Sequence, residues 1–163
     1  MEENKLYFIK NEYFEKYKCN NYKPNKEPDS NGEHNRPCYY AFKENNIYWM
    51  IPVSSQCAKY EKIYEKTIKR YGLCDGISFG YVKGNKNAFL IQNMVPVTLK
   101  YIDKIYTSGK QYMPVELNEK IKRELNAKAR KALRFSRNGK ALTFTPILDL
   151  EKLLLEELKE SNF

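Results

Sequence analysis

The sequence predicts an α+β fold, one domain in which a small sheet is decorated by about four helices. Two short runs are aromatic and apolar at strand length, Pro37 to Lys43 and Ile47 to Val53. Three later stretches repeat apolar residues every three or four positions, the period of a helix. No internal repeat and no second hydrophobic core interrupts the 163 residues, a length that can bury roughly 70% of its unfolded surface in one domain.

The elements follow in order. Lys5 to Lys10 reads as a first strand, and Asn11 can cap a short helix through Lys18. The stretch from about 19 to 35 holds Asn, Lys, Pro and Glu with almost no apolar residue. Loops of that length in small domains are commonly functional or mobile. The strands Pro37–Lys43 and Ile47–Val53 are joined through Glu44-Asn45-Asn46, a hairpin turn. Pro52 fits a strand terminus or edge better than a central ladder position. Cys57, Tyr60, Tyr64, Ile68 and Tyr71 form one helical stripe, stopped by Gly72. Strands are expected from Gly76 to Val82 and Ala88 to Gln92, turned by residues 83–86, and a less regular region runs from Val97 to Met113. Leu117, Ile121, Leu125, Ala129 and Ala132 mark a long basic helix over about 116–137, closed near Gly139. Thr145 and Pro146 open a last helix over about 146–160, hydroxyl cap first and proline next.

Composition narrows the function. The net charge is +9, and it is unevenly placed. Residues 120–140 carry nine cations, Lys120, Lys122, Arg123, Lys128, Arg130, Lys131, Arg134, Arg137 and Lys140, against the single acid Glu124, a net +8. A localised stripe of this kind suits a polyanion, since arginine pairs with phosphate through its planar fork. The bland alternative is a solvated helix face, although such a face normally mixes both signs. Fourteen tyrosines, several interleaved with lysine as at Tyr13 and Lys16, add stacking surface suited to single-stranded nucleic acid. Cys19, Cys38, Cys57 and Cys74 are spaced too widely for a zinc knuckle or redox pair. With one histidine present, no metal site is expected. No apolar run approaches the ~18 residues that span a bilayer, so a reduced, cytoplasmic protein without a membrane partner is expected.

Chemistry concentrates at the ends of the two central strands. His34, the only histidine, precedes Arg36 and the first strand, and Ser54-Ser55 closes the second. If both strands belong to one sheet, these groups reach the same edge. A histidine can exchange a proton near neutral pH. Arg36 and Lys59 suit developing charge on a phosphate, and the serines precede a helix whose first N–H groups attract an anion. Each has a plainer reading: the serines as helix caps, His34 as a loop residue, Arg36 as a partner of Glu33 or Glu44, Lys59 as a solvated side chain, Tyr13 as core. A non-catalytic RNA-binding module is the competing function. A phosphate-handling hydrolase is disfavoured by the lack of a Gly-rich loop or a carboxylate cluster.

Three motifs in order, Arg36-Pro37 before an aromatic strand, Ile51-Pro52-Val53-Ser54-Ser55, and Ile91-Gln92-Asn93-Met94-Val95-Pro96-Val97, resemble the ToxN/AbiQ endoribonucleases. These are toxins of type III toxin–antitoxin systems, in which the antitoxin is a small repeated RNA. The run His34-Asn35-Arg36-Pro37-Cys38 with Tyr48-Trp49-Met50-Ile51-Pro52 is most similar to the CptN branch. The resemblance covers Leu6 to about Val97. It implies a twisted, barrel-like antiparallel sheet similar to the Kid/MazF toxins. It also implies metal-independent cleavage of single-stranded RNA without a cofactor, inhibition by a folded RNA antitoxin, and assembly with that RNA into an oligomer. The hydroxyl pair of the family falls on Ser54-Ser55, its basic residue on Arg36, and its tyrosine after the first strand on Tyr13. The family often has a lysine two positions after the hydroxyl pair. Cys57 stands there instead, and Lys59 is the nearest lysine. The expected RNA contacts are Tyr13, Lys120, Arg123, Lys128, Arg130, Lys131, Arg134 and Arg137.

Overall fold

The computed structural model describes residues 1–17, 28–29, 32–33 and 36–162. His34 and most of the polar 19–35 segment lie outside the described residues. The order is β1 (Leu6–Ile9), α1 (Asn11–Tyr17), β2 (Pro28–Asp29), β3 (Gly32–Glu33), β4 (Cys38–Glu44), β5 (Ile47–Ser54), α2 (Cys57–Tyr71), β6 (Ser78–Val82) and β7 (Asn85–Phe89). Then come β8 (Val95–Val97), β9 (Ile102–Ile105), β10 (Thr107–Ser108), β11 (Met113–Pro114), α3 (Glu119–Arg137) and α4 (Ile147–Ser161). This is an α+β fold with four helices and a seven-stranded antiparallel sheet.

β5 is the hub, buried at every residue, which explains its unbroken apolar sequence. One edge of it pairs with β4. The other pairs with β8 through Tyr48, Trp49 and Met50, then with β7 through Val53 and Ser54. Pro52 therefore lies two residues before the end of β5, near the strand terminus expected, in a strand flanked on both sides and not at an edge. It is tolerated because its missing N–H falls where the partner changes from β8 to β7, while its carbonyl accepts from Leu90 N at 2.9 Å.

Pairing runs β6-β7-β5-β4-β1-β9 and stops, so the sheet is open and not closed into a barrel. Its two ends still approach each other. Lys83, in the β6–β7 turn, places its ammonium 4.1 Å from the ring centre of Tyr106, just after β9. That turn is two residues long, Lys83 and Gly84, both at positive φ. β7 therefore begins at Asn85, earlier than the expected Ala88, and residues 91–93 form a 3-10 turn instead of strand. β9, in the stretch expected to be irregular, pairs with β1 through Tyr7–Ile105 and Ile9–Ile102.

α3 packs on β4 and β6, α4 on β8 and β5, and α2 on β7. Gly80 permits the close approach of α3, because a Cβ there would lie 2.9 Å from Ile121 Cγ1. The α4 start differs from expectation. Pro146 occupies the cap position, and the Thr145 hydroxyl is buried without a hydrogen-bond partner. Instead α4 is tied down by Glu157, whose carboxylate accepts from Lys16 (2.8 Å), Tyr17 (2.7 Å), Lys100 (2.7 Å) and Tyr101 (2.8 Å). No helix among the described residues is long and apolar enough to cross a membrane.

Candidate functional site

β5 ends at Ser54, where the strand turns into α2. Cys38 pairs with Pro52, and Val53 N donates to Pro37 O at 3.1 Å. Continuing that register sets Arg36 across from Ser54 on one side, while Ala88 of β7 faces Ser54 on the other. The fold thus leads Arg36, Ser54 and Ser55 to the same end of the β4–β5 hairpin.

The two serines differ. Ser54 is buried, and its Oγ accepts the Gln56 backbone N–H at 3.2 Å. Ser55 is exposed and its carbonyl takes the Cys57 N–H at 2.8 Å. Neither serine caps α2. Gln56 holds the cap position without a side-chain bond, and the first turn contains no acid. The partial positive charge of that helix end is therefore unopposed by its own sequence. Arg36 is half-buried and makes no ion pair among the described residues. Glu44, one partner considered for it, is held by Arg137 at 2.6 Å.

Lys59 is not brought to this edge in the same way. It lies about 200° around α2 from Cys57 at 3.6 residues per turn, exposed, with its ammonium 5.2 Å from the neighbouring Tyr60 ring. Lys86 of β7, which sequence spacing missed, is held against the start of α2. Ser54 pairs with Ala88, two residues from Lys86 on the same strand face. The Lys86 carbonyl accepts the Cys57 thiol at 3.1 Å, and its ammonium bonds Glu61, one turn further along α2. That bond holds the Lys86 ammonium above its ordinary pKa. A lysine 32 residues after Ser54 is visible only once the β5–β7 register is known.

Tyr13 is a correction. It is fully buried, with its hydroxyl on Pro96 O at 2.6 Å and its ring against Tyr17 and Tyr101. It cannot contact RNA without unpacking α1.

The basic helix is also less uniform than its +8 suggests, because the fold supplies acids from other segments. Lys122 pairs with Glu116 and Glu119, Lys131 with Asp75 at 2.6 Å, and Arg137 with Glu44 and Glu151. Lys128 is largely buried and donates to the carbonyls of Cys74 and Ile77. Its role is structural, as is that of Lys131 in part. Burial raises the Glu124 carboxyl, yet bonds from Ser78 and Lys128 more than offset it, and the net shift is downward. What remains open is a row of exposed cations, Lys120, Arg123, Arg130 and Arg134, close to one face at helical spacing. Among them Arg130 lies over the Phe42 ring at 4.2 Å.

No protein-family model matches the chain, and no curated protein matches it.

Proposed function

We propose that the chain is an endoribonuclease toxin that cleaves single-stranded RNA and is restrained, in a cytoplasmic protein–RNA assembly, by a folded RNA that it also processes. The observation carrying this reading is the β4–β5 register, Cys38 on Pro52 and Val53 N on Pro37 O, which leads Arg36 and Ser54 to the same end of the hairpin, with Ser55 exposed at the α2 start. In the proposed reaction the 2′-OH gives up its proton and its oxygen attacks the adjacent phosphorus. The bond to the 5′-oxygen breaks as that oxygen takes a proton, leaving a 2′,3′-cyclic phosphate and a 5′-hydroxyl. Arg36 and the α2 end face the charge gathered on the phosphorane. Ser55 donates to a non-bridging oxygen, and Ser54 fixes the turn. Proton transfer is assigned to His34 from sequence alone. The likeness to Kid/MazF toxins belongs to the same proposal, as a curled sheet whose ends approach at Lys83 and Tyr106.

The test is direct. Purified protein should cut single-stranded RNA in EDTA, leave cyclic-phosphate ends, and spare DNA, which has no 2′-OH. Cleavage that stops on chelation and returns with Mg²⁺ rules the mechanism out. RNA binding with no cleavage in either condition supports the non-catalytic module instead.

A further inference from the structure

Trp49, Phe42 and Arg130 form a stack that ends at the protein surface. The Trp49 and Phe42 rings lie 27° from parallel with centres 6.2 Å apart, both buried to within 1%. The Arg130 guanidinium covers Phe42 at 4.2 Å, and Arg130 itself is exposed. Phe42 and Arg130, the outer part of the stack, line a cleft of about 370 Å³ between the end of β4 and the second half of α3, shared with Glu44, Arg134, Arg137 and Asn138. Arg137 is neutralised there by Glu44 and Glu151. Arg134 makes no ion pair among the described residues.

From this geometry we infer that the cleft holds one unpaired nucleotide of an RNA partner, its base stacked on Arg130 and its phosphate on Arg134. The inference rests on the RNA-binding part of the proposed function and is independent of cleavage. A guanidinium braced on an aromatic ring presents a flat, pre-ordered top on which a base can stack. An exposed lysine offers charge alone. The adjacent Arg134 supplies a fork for the phosphate. An acidic peptide would use the charge and leave the flat face without a purpose, so the nucleotide is the better fit.

The test compares two 2′-O-methyl 12-mers, one of adenosine and one abasic, which carry the same phosphates and cannot be cut by 2′-OH attack. Wild type should bind the adenosine oligomer at least about fivefold more tightly, the effect of one stacked base. Arg130→Lys keeps the charge and removes the flat fork, so it should lose most of that preference. Arg134→Gln should weaken both oligomers alike and keep the preference. The emission of Trp49, at the foot of the stack, checks that each variant is folded. Equal binding of both oligomers by wild type, or an undiminished preference in Arg130→Lys, overturns the inference. Ordinary RNA cut in EDTA by a protein that shows no base preference separates its failure from that of the proposed function. Base-dependent binding without cleavage retains the cleft and sinks the enzyme.

Discussion

Lys128 Nζ stands 2.9 Å from Ser78 Oγ, and this bond joins the basic helix to the edge strand of the sheet. Ser78 in turn donates to Glu124 at 2.5 Å, one helical turn before Lys128. Replacing Lys128 by Ala removes the donor to Ser78 and to two backbone carbonyls at once. Unsatisfied groups of this kind cost about 1–3 kcal/mol. Lys128→Ala should lower the stability measured by urea unfolding by that amount, while Lys120→Ala, on the open face, stays within about 0.5 kcal/mol of wild type. An unchanged stability for Lys128→Ala would return that lysine to the RNA-binding set.

Arg36→Ala and Ser55→Ala should each reduce RNA cleavage about 100-fold with the fold intact, as expected for loss of one donor to developing charge. Ser54→Ala should behave differently. Its hydroxyl serves the Gln56 N–H, so about 1 kcal/mol of stability should go with it, along with part of the activity. Single-turnover rates and thermal melts on the three variants separate the roles. Full activity in Arg36→Ala would place the site elsewhere.

Lys86 and Lys59 offer a contrast within one experiment. Lys86→Ala should slow cleavage by about 10-fold to 100-fold by removing a cation beside the Ser54–Ser55 turn, and Lys86→Arg should recover part of it. Lys59→Ala should change the rate less than about twofold, as a solvated cation on the far side of the helix would. The reverse ranking would show that the lysine on the outer face of α2 reaches the phosphate.

Glu157 predicts an acid limit. Burial alone would raise its carboxyl, but bonds from Lys100, Lys16, Tyr17 and Tyr101 bring it down to about 2. An unfolded glutamate titrates near ~4.3. The folded pKa is the lower of the two, so this contribution is present above that value and is lost as pH falls from there to about 2. Glu157→Gln should be less stable at pH 7 and should show a flatter fall of melting temperature between about pH 5 and about pH 2. Parallel curves for the two proteins would refute the assignment.

Arg123 and Arg134 are exposed cations that close no ion pair among the described residues. Removing both should flatten the log–log salt dependence of binding to the proposed RNA antitoxin by about 1.4–1.8, since each phosphate left without its cation accounts for about 0.7–0.9. Growth rescue by that RNA should weaken in parallel. An unaltered slope would mean that the helix faces no phosphate.

Much of this arrangement was legible in the sequence because it depends on local periodicity. The apolar run of β5, the Tyr60, Tyr64 and Ile68 stripe of α2 with its Gly72 stop, and the core face of α3 all follow from spacing, whereas Tyr71, expected in the same stripe, is exposed. Arg36 and Ser54 could be expected at one end of the sheet because a single hairpin relates them. What was hidden depends on register between distant strands or on charges delivered from elsewhere. Lys86 reaches the α2 start only through the β5–β7 pairing. The acids that quench half of the basic helix come from Glu44, Asp75, Glu116 and Glu151. Tyr13 looks like a binding residue by type, and only the meeting of α1 with Pro96 and Tyr101 makes it core. Pro52 falls near the end of β5 as expected, and only the change of partner from β8 to β7 shows how a strand flanked on both sides tolerates it.

The pairing of β1 with β9 has a consequence for how the chain is made. Tyr7 meets Ile105, so the first strand cannot complete its ladder until nearly the whole of the sheet has followed it. Asn4, just ahead of that strand, also waits for Asn126 of α3, whose amide donates to it at 2.8 Å. Pairings of such separation form late and slowly, because loop closure must precede the reward. Until residue 105 has left the ribosome, β1 has no β9 to pair with, so that flank of the sheet is completed after the β6–β7 hairpin at the other flank.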